Sequence, residues 1–250
     1  MRGLQRRPAV KSVWDAVRRS LEGVFVLSKR RIKFSKTGMG KYISHLDLLR
    51  TFTRSIMRSG LPVRYSQGFN PHQLITFSLP LPIGVTSICE YVDIDFEDTA
   101  SDEEIYEKLN QNLPMDMRVL AVGPLIHKAN AICAAEYRIE LLTGQEIDAE
   151  LLAEFFAEDE IWVEKKTKKK GLVSVNLMEF IQGYTYRDQT DAACVFEVIL
   201  CAGGEKNIKP EILTGTLVAS LGEKGIQIDG VNIERLQIFC TEDGKMVNFC

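Results

Sequence analysis

With 250 residues, 45% of them apolar, the chain has material for one large core or two smaller ones, and length alone does not choose between them. A formal net charge of −3 conceals an uneven distribution, with a basic first quarter and acidic blocks around residues 90–107 and 146–164, so mild overall acidity does not exclude a nucleic-acid partner. No window approaches the roughly 18 uninterrupted apolar residues of a membrane span, the amino terminus lacks the apolar run of a secretory signal, and the six cysteines show neither a Cys-x-x-Cys pair nor zinc-ligand spacing. Neither a membrane partner nor a metal framework is expected, the cytoplasm is the expected location, and the thiols read as buried and reduced.

Residues 1–30 form a basic extension carrying Arg2, Arg6, Arg7, Lys11, Arg18 and Arg19 among its cations. It reads either as a nucleic-acid-binding arm or as sequence preceding a true translation start near Val26. From residue 31 the order is clearer. Residues 31–35 and 41–43 predict a strand interrupted by Thr37-Gly-Met-Gly40. Ser44 then caps a helix with Asp47 three residues on, and that helix stops at Gly60 ahead of Pro62. Its expected buried face is Leu46, Leu49, Phe52, Thr53, Ile56 and Met57. Strands follow at 63–65, 74–77 and 90–96, then a helix over 101–113 capped by Ser101 with Glu104, and a strand at 118–122. The order is βαββαβ.

The remainder repeats this order more loosely. Strands at 137–142, 161–166, 172–176, 193–201 and 231–240 are interleaved with helices at 148–156 and 209–221. The lysine run Lys165, Lys166, Lys168, Lys169 and Lys170 with Gly171 reads most simply as a solvated hairpin tip, with contact to a polyanion as the alternative. The fold class this predicts is α+β, with two successive ferredoxin-like (split βαβ) units whose antiparallel sheets are backed by helices. The first spans residues 31–128 and the second, more divergent, 129–250.

Candidate chemistry concentrates in the first half. Arg50, Arg54 and Arg58, spaced by four, project from neighbouring turns of one helix, and guanidinium groups suit phosphate. Lys33, Lys36, Lys41 and Arg64 would extend that field along a groove. The run Tyr65-Ser-Gln-Gly-Phe-Asn-Pro-His72 is a turn in which Tyr65 and Phe69 offer ring faces to bases. Gln67 and Asn70 offer paired donors and acceptors, and His72 offers a donor to phosphate. A bland alternative makes it a buried loop with Phe69 as its plug, and makes the arginines a solvated helix face. His45 or His72, with Tyr42 nearby, also allows metal-independent acid–base cleavage of RNA, although His45, following a capping serine, reads first as a residue that satisfies the end of the helix.

These strings carry a resemblance. Phe34-Ser-Lys36, Ile43-Ser-His-Leu-Asp47, Gly60-Leu-Pro62, the Tyr65–His72 run, Phe77-Ser-Leu-Pro-Leu-Pro-Ile-Gly84 and residues 87–93 closely resemble the bacterial radical-SAM-linked protein family, an uncharacterised domain. The resemblance covers nearly all of residues 31–250, is most specific over 43–84, and after residue 135 is marked best by Lys169-Lys-Gly171. It implies a B12-binding radical SAM protein as partner. That partner would hold the cofactors, since this chain lacks the three-cysteine cluster motif and is expected to carry no cofactor itself. The family's neighbourhood also implies RNA processing, and the architecture is similar to that of repeat-associated RNA-processing proteins with tandem ferredoxin-like domains. The expectation is an accessory protein that binds RNA or presents it to the partner enzyme. The alternatives are a ribonuclease and a docking module that makes no nucleic-acid contact.

Overall fold

The computed structural model describes residues 29–97, 100–167, 171–204 and 206–250. The basic extension read at 1–30 lies outside the described residues up to position 28, as do the lysines at 168–170. The fold is mixed α+β, and the chain divides into two compact units. The first takes the described residues up to Leu81, then Cys89–Lys128 and Phe249–Cys250; the second takes Pro82–Ile88 and Ala129–Asn248.

In the first unit the elements run β1 (Lys29–Lys36), α1 (His45–Ser59), β2 (Ile75–Phe77), β3 (Thr86–Asp95, from Cys89 on), α2 (Asp102–Asn112) and β4 (Met117–Pro124). The strand order is β4-β1-β3-β2, with β1–β4 and β2–β3 antiparallel. One face of this sheet packs on both helices: Ile32, Phe34, Val92, Ile94 and Val119 meet Leu48, Phe52 and Ile56 of α1 and Ile105 and Leu109 of α2. The centre is aromatic, with the Phe34 and Phe52 rings 4.8 Å apart, edge to face. Local sequence starts both helices as expected. Ser44 Oγ accepts from Asp47 N (3.2 Å), and Ser101 Oγ accepts from Glu104 N (3.1 Å). The face of α1 is rotated from the expected one: Leu48, Phe52, Ser55 and Ile56 are buried, whereas Leu46 and Met57 are exposed. The buried stripe follows the 48, 52, 55, 56 spacing of a helix lying flat on the sheet, and Leu46 sits in the first turn, beyond the edge of that stripe.

The opposite face of the β1–β3 pair holds charge instead of aliphatic side chains. Arg31, with no exposed side-chain surface, grips Asp93 through two hydrogen bonds, Nε to Oδ1 (2.7 Å) and Nη2 to Oδ2 (2.9 Å). Phe249 lies over it, ring centroid 4.1 Å from the guanidinium carbon, and meets Tyr91 edge to face at 5.3 Å. Arg31 Nη1 also reaches Cys250 Sγ (3.7 Å). Burial acts to lower the Arg31 pKa, but the hydrogen bonds and charge of Asp93 outweigh it, and the guanidinium ends above its ordinary value. The same burial pushes the Cys250 thiol up to about 12 and the Tyr91 phenol well above its usual value. None of the six cysteines is disulfide-bonded.

The second unit contains β5 (Ile132–Leu142), α3 (Ala149–Phe156), β6 (Trp162–Thr167), β7 (Gly171–Asn176), β8 (Ile181–Gln189), β9 (Ala193–Cys201), α4 (Pro210–Glu223), β10 (Gly230–Glu242) and β11 (Lys245–Asn248). Its strand order is β10-β5-β9-β8, every pair antiparallel, with β11 beyond β10 and β6–β7 forming a separate ribbon. Thr86 and Ser87 at the start of β3 pair in parallel with Glu234 and Arg235. On one face Arg138 stands opposite both Glu197 and Glu234 in register; it pairs with Glu197 at 3.2 Å and with Glu234 at 3.6 Å, and Arg187 adds a second partner to Glu197. Among the described residues, no helix is long and apolar enough to cross a membrane.

Candidate nucleic-acid interface

The Tyr65–His72 run forms an exposed loop on a hydrogen-bonded stem. Arg64 N donates to Asp95 O (2.8 Å), and Leu74 N donates to Arg64 O (3.1 Å). Tyr65 bridges to Gln73, whose Nε2 donates to the Tyr65 hydroxyl (3.4 Å). One step outward, Ser66 N donates to His72 O (2.8 Å), His72 N donates to Ser66 Oγ (3.1 Å), and that hydroxyl also pairs with His72 Nδ1 (2.8 Å). Because side chains alternate across paired strands, Ser66 and His72 share one face of the stem, and Tyr65 and Gln73 the other. Beyond this closure Gln67, Gly68, Phe69, Asn70 and Pro71 are all exposed. Phe69 exposes its whole side chain, so it plugs nothing. Gly68 sits at φ 125°, a conformation that a side chain would strain, and it allows the chain to reverse here.

The arginine stripe exists as geometry. At 1.5 Å per residue, Arg50, Arg54 and Arg58 span about 12 Å of α1, each turned about 40° from the last, and all three are exposed. Two are engaged locally. Arg50 Nη1 donates to Asp47 Oδ1 (3.0 Å). Arg58 Nη2 donates to Ser55 Oγ (3.1 Å) and to Asn112 O (2.6 Å), the last residue of α2, where a cation complements the carbonyl end of a helix. Arg54 has no hydrogen-bond or ion-pair partner among the described residues. Arg64 is exposed, with Nε 3.9 Å from Asp95 Oδ1. Asp47, taking hydrogen bonds from the Ser44 hydroxyl and Arg50, sits below the usual carboxylate range.

The basic groove proper needs correction. Lys33 and Lys36 are 5% and 1% exposed, so neither reaches a solvent-facing ligand. Lys33 Nζ lies 5.9 Å from the Tyr91 ring centroid on the charged face of the sheet, and Lys36 Nζ donates to Ile43 O (3.3 Å). In a strand buried on both faces, alternation leaves neither lysine an outward direction. The expected strand at 41–43 is instead part of a 3₁₀ turn, Gly38–Tyr42, anchored by Asp116: its carbonyl accepts from Thr37 N (2.9 Å), and Oδ2 accepts from Gly40 N (3.1 Å). A Cβ on Gly38 would lie 2.6 Å from Asp116 Oδ1 at φ +49°, so glycine is required for this close approach. The turn presents Met39 and Tyr42 to solvent, with Lys41 Nζ 5.2 Å from the Tyr42 ring centroid.

His45 is exposed, its ring edge-on to Phe77 at 5.4 Å, and the cap of α1 is made by Ser44 without it. Tyr42 and His45 thus lie at the start of α1, His72 on the loop stem, and no hydrogen bond joins the two histidines. Sequence reading passed over Ser66, whose hydroxyl fixes the His72 ring, and Met39. A serine six residues before a histidine across a Gly-containing turn was the available signal for the first.

The chain belongs to the DUF2344 family, an uncharacterised protein conserved in bacteria, which matches over residues 29–210. No match to a curated protein was found. Among solved structures, similarity extends to a Cbf5-Nop10-Gar1 complex (TM-score 0.48, 10% identity, 85% of this chain and 49% of that one). It also extends to an archaeal box H/ACA sRNP Nop10-Cbf5 complex (TM-score 0.44, 10% identity, 84% and 47%) and to an H/ACA RNP bound to a substrate RNA containing 2'-deoxyuridine (TM-score 0.46, 11% identity, 97% and 55%). The chain spans about half the length of these chains.

Proposed function

We propose that this protein is an RNA-binding accessory that holds unpaired RNA for a B12-binding radical SAM partner enzyme, and that residues 31–128 and 129–250 are two ferredoxin-like domains, apart from 82–88 and 249–250, which group with the opposite unit. The observation that carries the RNA reading is Phe69. An aromatic side chain wholly in water, at the tip of a loop locked by its own hydrogen bonds, contributes nothing to folding and offers a stacking face to a base. Gln67 and Asn70 beside it supply amide donors and acceptors, and Arg54 and Arg64 supply exposed cations for the backbone. The β4-β1-β3-β2 order of the first unit, and the equivalent β10-β5-β9-β8 order of the second once the β6–β7 ribbon and β11 are set aside, support the domain assignment, and the motif strings over residues 43–84 support the partner.

The test is binding of single-stranded RNA by the full chain across a salt series. Affinity should fall with salt at a slope of about −0.7 per phosphate contacted, Arg54→Glu should flatten that slope, and Phe69→Ala should weaken binding by roughly 1–3 kcal/mol, the worth of one stacked base. A flat salt response with both variants indistinguishable from wild type refutes the reading. Exposed Met39, Tyr42, Leu46 and Met57 on and before α1 favour a second reading, in which this surface docks the partner enzyme without RNA. Copurification that survives nuclease treatment, with no RNA retained, selects it.

A further inference from the structure

The closed stem of the loop sets more than its shape. The Ser66 hydroxyl accepts from His72 N (3.1 Å) and still has its proton to give to its other partner, His72 Nδ1, at 2.8 Å, the arrangement in which the ring nitrogen accepts. A neutral His72 ring that accepts at Nδ1 carries its proton on Nε2. The residue is exposed, and Nε2 has no partner among the described residues, so in this tautomer the stem presents one donor to solvent. Phe69, three positions away and at most about 10 Å along the chain, is the exposed ring of the same loop.

The geometry points to a division of labour that rests on the RNA reading above: His72 Nε2–H donates to a backbone phosphate oxygen of the nucleotide strand, Ser66 is the positioning residue that fixes the ring's tautomer for that donation, and Phe69 takes a base. A phosphate is the partner that suits this donor. An imidazole N–H to an ionised oxygen is a charge-assisted bond that tolerates any base, whereas the amides of Gln67 and Asn70 already offer the mixed donor and acceptor pattern that base edges need. The site therefore takes single-stranded ribonucleotide chains with little sequence preference at this contact.

Two measurements test it. Long-range ¹H–¹⁵N correlation spectra of the full chain should show His72 protonated at Nε2 in the neutral ring, and Ser66→Ala should produce a mixture of tautomers; a wild-type ring protonated at Nδ1 overturns the assignment without reference to RNA. Binding is then compared for an oligouridylate and an abasic ribose-phosphate chain of equal length. His72→Ala should weaken both roughly tenfold, the worth of a hydrogen bond to a charged group, and His72→Gln should recover part of the loss through its own Nε2 donor. Phe69→Ala should weaken the oligouridylate alone. Persistence of the preference for oligouridylate in His72→Ala shows that the loop is intact. If wild type binds neither chain, the RNA reading itself fails and this inference with it. If wild type binds both and His72→Ala changes neither, the phosphate contact alone is wrong.

Discussion

Replacing Asp93 with alanine should be the most damaging single change on the charged face of the first unit. Arg31 has no exposed side-chain surface and Asp93 only 7%, so the variant leaves a buried guanidinium with the Phe249 ring and the Cys250 thiol but without its carboxylate. Breaking a buried pair from one side costs about 3–5 kcal/mol, because the surviving charge is stranded away from water. For a unit of this size each kcal/mol moves the melting temperature by about 4–8 °C, so a drop exceeding about 10 °C is expected. Trp162 lies in the second unit, so its fluorescence reports the wrong region. Amide hydrogen exchange resolved along β1 and β3 reads the loss where it occurs. The double variant Arg31→Met/Asp93→Leu should recover most of it, since apolar groups of similar volume replace a buried pair at little cost. A loss below about 1 kcal/mol for Asp93→Ala would mean that water reaches Arg31, and the burial argument would fail.

Three further outcomes follow from other parts of the molecule. Asn110 uses its amide as a surrogate strand, accepting from Val119 N (2.9 Å) and donating to Val119 O (3.2 Å) on the edge strand β4. Asn110→Ala should therefore cost about 1–2 kcal/mol and introduce concentration-dependent self-association by sedimentation, as an unprotected edge recruits strands. Glu197 is pushed upward by burial but pulled further down by Arg187 and Arg138, so its folded pKa lies below its ordinary value. Its contribution is present above that ordinary value and is lost as pH falls through the depressed one, so urea midpoints should drop through the acid range and Glu197→Gln should flatten the decline. Ser44→Ala removes the cap of α1 and should cost about 1 kcal/mol by chemical denaturation, leaving Phe69-dependent binding unchanged.

The features legible in the sequence were those written locally. The Ser44 and Ser101 caps, the stop at Gly60 and the Gly-Phe-Asn-Pro turn, though not its exposure, each depend on a few adjacent residues whose backbone preferences agree. Strand β8 was missed because Ile181–Gln189 carries Gly183 and Asp188, and two register shifts break its alternation. The burial of Lys33 and Lys36 was invisible for another reason: a lysine in a strand looks solvated until the covering elements are known, and the partner of Arg31 stands 62 residues away. The candidate site shared this limit. Residue types pointed to the loop, but the Ser66 clamp on His72 appears only once the stem closes.

The placement of Phe249 and Cys250 makes the first unit discontinuous in the chain, since the strand just before them, Lys245–Asn248, belongs to the second. On a translating ribosome the amino-terminal unit would assemble its helices and strands early, yet its arginine would stay uncovered until more than a hundred further residues had emerged. Maturation of the half that carries the exposed loop is thereby tied to completion of the other half. A fragment cut after Lys128 would be a poor surrogate for the intact protein unless an aromatic lid were supplied in trans.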